Sequence, residues 1–262
     1  MAASSQKMNH RDRQILCGLF LSKFDKKGLQ YLGFNSFTEA FNTLGYSLNA
    51  KPASIKNYRD ELDPFFPNAR MGWHKRSIRE HCQRILDEYK TVDLVDLGEI
   101  IKGFLLPARE TDSMPEVKRV LSLHDPEPSA SFAKRLITGK AAESYFMTHY
   151  KDMAEFATAQ LTDTTEWGCG FDFKMTPHGN DPHPFYAVEI KGLRGRSGQI
   201  QMTDLEFEMA EALRERYFLV LVCNFIEAPF HNVINNPTKS AIQFKQVKRK
   251  EIKLSWTANI NV

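Results

Sequence analysis

Apolar residues recur at helical intervals through the N-terminal part of the chain. Ile15, Leu16, Leu19, Phe20 and Phe24 line one face of a predicted helix. Ser36-Phe37-Thr38-Glu39 has the spacing of a capping box, and Phe37, Ala40, Phe41 and Leu44 follow at helical intervals, with Gly45 suited to the C-terminal stop. Pro52 fits a first helical position, and Ile55, Tyr58 and Leu62 then face inward. Two more helices are predicted, one on Ile78, Cys82, Ile85 and Tyr89 and one on Leu94, Leu97, Ile101 and Phe104. The pattern breaks between 106 and 130, at Leu106-Pro107 and Asp125-Pro126-Glu127-Pro128-Ser129.

Beyond the break the periodicity changes character. Gly139-Lys140-Ala141-Ala142-Glu143 opens a helix on which Glu143, Phe146 and Tyr150 share a stripe, so a carboxylate lies among apolar side chains and needs a partner or a metal. A strand is expected between Asp152 and Leu161, a second at Gly170-Phe171-Asp172-Phe173, and a third at Tyr186-Ala187-Val188-Glu189-Ile190-Lys191. Thr203 and Glu206 form a capping box ahead of Leu205, Met209, Ala212, Leu213 and Arg216, and the unbroken apolar run Tyr217 to Cys223 reads as a strand buried on both faces. The expected fold is therefore α+β. Residues 1–110 form an all-helical domain, 111–130 a linker, and 131–262 an α/β domain with a mixed central sheet.

Strand alternation turns Glu189 and Lys191 to one face and Val188 and Ile190 to the other. A carboxylate beside an ammonium, with Asp172 on a neighbouring strand, suits a divalent metal and a water to be activated. The spacing Asp-x16-Glu-x-Lys resembles the PD-(D/E)XK nuclease pattern, with Phe171 in place of its proline. Residues 132–225 also resemble the domain found at the C terminus of the plant protein NO VEIN and in many bacterial defence proteins. The matching motifs are Gly139 to Glu143, Gly170 to Asp172, Val188 to Lys191, Thr203 to Glu206 and Tyr217 to Val222. That resemblance implies a PD-(D/E)XK core and nuclease chemistry. Asp172, Glu189, the Ile190 carbonyl and Glu143 would hold Mg²⁺, for which Mn²⁺ can substitute, and Lys191 would act on the attacking water and the transition-state charge. A competing set, His178, Asp181 and His183, lies in the Gly- and Pro-rich loop between the two strands, where histidines are more often solvated.

Charge adds a partner to this picture. The net charge of +3 is only mildly basic, but basic residues cluster. Arg70, Lys75, Arg76 and Arg79 stand around Trp73 and His74 without an acid among 70–79, Arg194 and Arg196 follow Lys191, and Lys245, Lys248, Arg249, Lys250 and Lys253 face only Glu251. Such clusters fit phosphate contacts. The second short helix of the 37–62 pair exposes Ser54, Lys56, Asn57 and Asp60, with Arg59 as a further DNA-binding candidate, an arrangement that resembles a helix-turn-helix with its recognition helix; a plain helical hairpin has the same pattern. Phe34 to Arg79 is similar to amino-terminal regions fused to restriction-type nuclease domains in bacteria. The four cysteines show no CxxC pairing, no run is long and apolar enough for a membrane span, and the N terminus has no secretory segment, so a reduced cytoplasmic protein is expected. These readings combine into a Mg²⁺-dependent, restriction-type endonuclease on double-stranded DNA, acting as a homodimer because two strands need two sites. A DNA-binding regulator that no longer cuts, and an interaction module of a defence system, remain the other two classes.

Overall fold

A computed structural model describes residues 8–70, 72, 75–105, 130–179 and 181–247. The fold is α+β. Five helices precede the 106–129 segment, which lies outside the described residues: α1 (His10–Tyr31), α2 (Phe37–Ser47), α3 (Pro52–Leu62), α4 (Glu80–Tyr89) and α5 (Leu94–Leu105). After it come α6 (Ala130–His149), strands β1 (Gln160–Asp163), β2 (Phe173–Thr176) and β3 (Tyr186–Gly192), helix α7 (Asp204–Leu213), and strands β4 (Tyr217–Cys223) and β5 (Phe230–Asn235). The strands form one mixed sheet in the order β1-β2-β3-β4-β5, with β3 and β4 parallel and every other pair antiparallel.

The helical part is built on α1, whose residues Ile15 to Leu21 are almost wholly buried against α3, α4 and α5. Close approach of α1 to α3 depends on Gly18, where a Cβ would lie 2.6 Å from the Tyr58 Cβ and 2.8 Å from the Arg59 nitrogen. The α2 stop differs from the expected one. The helix runs past Gly45 to Ser47, and Asn49 takes the positive φ of 48° that ends it. Gly45 serves a contact instead: a Cβ there would meet the Pro52 Cα at 2.8 Å, so its absence lets α3 begin close beside α2.

The sheet has one helix on each face. Val188, Ile190, Phe218, Val220 and Val222 pack with Ala141, Ala142, Tyr145 and Phe146 of α6, whereas Ala187 and Tyr217 pack with Ala210 of α7. This is the alternation expected of β3 and of a doubly buried β4. The expected strand between 152 and 161 shrinks to four residues starting at Gln160, because Tyr150–Asp152 and the residues after it turn around the buried Met153 and Phe156. The strand β5 carries no period-two pattern (Phe230 to Asn235 are all half-buried or exposed), which is why periodicity does not announce it.

The two parts are docked through α2. Asn42 donates to the Phe225 and Glu227 carbonyls at 2.9 and 3.0 Å, Ser47 donates to the Ile137 carbonyl at 3.1 Å, and Tyr46 packs its ring on Tyr145, His149 and Phe225. The Ser36–Glu39 capping box is half-formed for the same reason. Ser36 accepts from the Glu39 N–H, but the Glu39 carboxylate reaches past Ser36 to the Asn35 N–H and takes Arg194 and Lys134 as ion-pair partners.

Two glycine substitutions separate these packing roles. Gly18→Ala should lower stability by about 2 kcal/mol through overpacking against α3. Gly103→Ala, at an exposed site of α5 where a Cβ meets nothing within 4 Å, should raise it by about 0.5–1 kcal/mol through helix propensity. Urea unfolding of both variants checks the contrast.

Candidate active site

The site grows from the meeting of β2 and β3. Gly170 turns the chain toward β2 with φ 84°, a conformation that suits glycine, and a Cβ there would meet the Met209 Cγ at 2.7 Å. The buried Tyr217 hydroxyl donates to the Gly170 carbonyl at 3.0 Å. Asp172 is then clamped from both sides: its N–H donates to the Val188 carbonyl at 3.0 Å and its carbonyl accepts from the Thr164 N–H at 2.9 Å. Its carboxylate accepts from the Ile190 N–H at 2.8 Å. Val188 and Ile190 lie two apart on β3 and turn their peptide groups to the same edge, so the Ile190 carbonyl emerges on the side where Asp172 stands.

On the α7 face of β3, Glu189 is only 3% exposed. Lys191 donates to it at 2.5 Å and to Glu206 of α7 at 2.7 Å. Glu206 completes a capping box with Thr203, and the oxygen that accepts from the Thr203 N–H is the one that accepts from Lys191. One carboxylate thus caps the helix and orients the lysine. Asp172, Glu189 and Glu206 line a cleft of about 160 Å³ with Thr165, Gly168 and Leu205.

Burial dominates the electrostatics. It raises Asp172 to about 6, against the opposing pull of the Ile190 N–H and Lys191. Burial, then the Asp172 charge, raise Glu143 on α6 to about 7. Glu189 is pushed well above the usual carboxylate range by burial and by Asp172, with Lys191 pulling the other way. Burial lowers Lys191, but Glu189 and Glu206 outweigh it and hold the ammonium above the ordinary lysine value.

The sequence-predicted site residues divide into three groups. Asp172, Glu189, Ile190 and Lys191 come together, and Glu143 is near enough to feel the charge of Asp172. Among the described residues, however, no three His, Cys, Asp or Glu side chains converge tightly enough to form a ready metal cluster. The arrangement fits Mg²⁺ through two carboxylates and a carbonyl, since this ion keeps several waters. The loop residues His178, Asp181 and His183 form no such cluster either, and Asp181 instead accepts from the His183 N–H and the Tyr186 hydroxyl.

Five of the arginines expected on DNA are engaged within the chain, Arg196 by a surface pair with Glu227 at 3.3 Å. Arg59 is buried over the Phe37 and Phe41 rings and bonds Asp60. Arg70 bonds Asp63, Asp25 and the Ser22 carbonyl. Arg79 chelates Glu61, and Arg194 pairs with Glu39 at 2.6 Å. Ser54 is half-buried, while Lys56, Asn57, Lys75, Arg76 and Arg196 are exposed. Trp73, His74 and the basic residues from Lys248 onward lie outside the described residues. Glu206 is the site residue that periodicity missed; its signal was the Thr203-to-Glu206 spacing, which reads as a helix cap and nothing more.

Residues 142–234 match the model of a family described as Protein NO VEIN, C-terminal, a match that covers roughly a third of the chain and includes every residue lining the cleft. No curated protein and no solved structure matches. The segment is similar to that family over α6 from Ala142, β1 to β4 and most of β5. No helix of the described residues is long and apolar enough to cross a membrane.

The raised carboxylates have a consequence for stability. A folded-state pKa above the unfolded value means that the native protein holds extra protons between the two, so stability falls as pH rises through that window. For Asp172 and Glu143 the window runs from the ordinary carboxylate range up to about 6 and about 7. In chelator, the melting temperature should decline across this range, and Glu143→Gln should remove on the order of 2 kcal/mol of the decline. A pH series of thermal melts on both proteins checks it; identical slopes would contradict the assignment.

Proposed function

We propose that this chain is a Mg²⁺-dependent nuclease that hydrolyses DNA phosphodiester bonds. The observation that carries the reading is the meeting of Asp172, at the start of β2, and Glu189 of β3 in one cleft, with Lys191 bonded to two of the carboxylates that line it. The match of residues 142–234 to the NO VEIN C-terminal family supports the same nuclease-like reading, since that domain resembles the PD-(D/E)XK group.

Asp172, Glu189 and the Ile190 carbonyl would hold Mg²⁺, or Mn²⁺ in its place, and the ion supplies charge neutralisation and an acidified water. The chain's own residues do the rest. Lys191, steered by Glu189 and Glu206, presents a fixed positive charge to the phosphoryl oxygens as negative charge develops on them. Its N–H groups can also orient the attacking water. Glu206 keeps the lysine from swinging into solvent, so it acts as a positioning residue.

The finer reading is a restriction-type enzyme cutting double-stranded DNA at a chosen sequence. The solvent-facing Asn57 of α3 and Lys75 support it as groups placed to meet base edges and phosphate, together with Lys56 and Arg196, whose surface pairs with Asp60 and Glu227 a phosphate can replace. Cutting both strands calls for two copies of a chain with one site, hence a homodimer. A second reading, a DNA-binding regulator that does not cut, is favoured by one observation: Lys191 is held between two carboxylates, with no three-ligand metal cluster assembled among the described residues.

One experiment decides between them. Methylated and unmethylated plasmid and genomic DNA, incubated with Mg²⁺ or with EDTA, should give discrete fragments only with the metal. Lys191→Ala should slow cleavage by at least about 100-fold while DNA binding is retained. Retained binding with no cleavage on any substrate would select the regulator.

A further inference from the structure

We propose that Trp167 is a stacking platform for an unpaired nucleobase at the mouth of the cleft, so that the site takes a nucleotide displaced from its duplex. The inference rests on the nucleic-acid reading above and narrows its substrate.

The described residues expose six large apolar side chains: Phe65, Val95, Ile100, Trp167, Leu205 and Val247. Two of them stand at this one cleft. Leu205, 45% exposed, lines it from the first turn of α7, and Trp167, 66% exposed, sits between the cleft-lining Thr165 and Gly168. The ring is held out by the backbone, in a short turn closed by the Trp167 N–H on the Thr164 carbonyl at 2.9 Å. Thr164 is the residue that clamps Asp172 and the Phe171 carbonyl, so the turn carrying Trp167 is tied directly to the carboxylate site. Gly168 follows with φ 61°, and a Cβ on it would meet nothing within 4 Å. An indole left two-thirds in water forgoes a large burial gain that a flat partner would recover.

The chemistry of the surroundings selects that partner. Asp172, Glu189 and Glu206 line the cleft, so on the reading above the metal and the scissile phosphate take this wall and the group left to meet the indole is the base. A nucleobase is neutral and flat, and a π face is what an exposed tryptophan binds. In an intact duplex both faces of each base are already covered by neighbours. Only a splayed, bulged or single-stranded nucleotide can stack on Trp167, with the exposed Leu205 of the cleft as a further apolar contact.

The test uses the full chain with Trp73→Phe and Trp256→Phe, which leaves Trp167 as the sole fluorophore of the three tryptophans. Single-stranded oligonucleotide, duplex with a one-nucleotide bulge, and intact duplex are titrated in Ca²⁺ in place of Mg²⁺. The first two should quench Trp167 emission. Trp167→Ala in the otherwise unaltered chain should weaken their binding by about 5- to 100-fold, with intact duplex nearly unaffected and Trp167→Phe retaining most of the affinity. Oligonucleotide binding that leaves Trp167 emission unchanged, or that Trp167→Ala does not weaken, overturns this proposal while the cleavage experiment stands independently. An emission shift that follows protein concentration alone also overturns it, by assigning the ring to a contact between protein molecules. Failure of every oligonucleotide to bind removes it together with the nucleic-acid reading.

Discussion

Burying the Glu189 carboxylate inside a sheet is the constraint to which the C-terminal half answers. An ionised carboxylate out of water is costly unless a partner meets it. Lys191 supplies that partner two residues along the same strand, where alternation returns it to the same face. Lys191 would then itself be short of acceptors, and Glu206 fills the gap from α7 while also capping that helix. Placement of α7 on this face, and of the Thr203 turn that starts it, is thereby linked to two side chains of β3. On the other face, Val188 and Ile190 meet α6 in ordinary apolar packing. One strand therefore holds a hydrophobic core on one side and a charged cleft on the other.

A second buried carboxylate plays the corresponding part between the two halves. Glu39 lies in α2 of the helical part but takes Arg194, just beyond β3, and Lys134 of α6 as its partners. Burial pushes its carboxyl up, yet the hydrogen bonds from Arg194 and Lys134 outweigh that and leave it below the usual range. Asn42 and Tyr46, one and two turns further along α2, add hydrogen bonds and ring contacts to the same surface. The segment leaving β3 is thus held by the helix that precedes α3. Any partner bound on the outer face of α3 would sit one packed helix away from Arg194.

The distribution of positive charge follows from these demands. Arg59, Arg70, Arg79 and Arg194 look from sequence like an electropositive surface, but each answers an acid or lies over an aromatic ring within the fold. Asp63, for one, is buried and accepts from Ser22 and Arg70 together, so the arginine there completes a core polar network. The side chains left facing solvent are fewer and more specific in their position, Lys56 and Asn57 on α3 among them.

Much of this is legible in the residue pattern. Helical periodicity located α1 to α5 and α7, the doubly apolar run identified β4, and the pairing of Glu189 with Lys191 followed from strand alternation alone. These are local properties, set by backbone geometry within a few residues. Relations between residues far apart in the chain come instead from packing. The half-formed cap at Glu39, the second partner of Lys191, the withdrawal of four arginines into ion pairs and the exposure of Trp167 beside the carboxylates all belong to this class. So does β5, whose mixed pattern carries no period and whose strand exists because β4 offers it an edge. The physical reason is the same in each case: a charge or a peptide edge declares in sequence that it needs a partner, and only packing decides which one it receives.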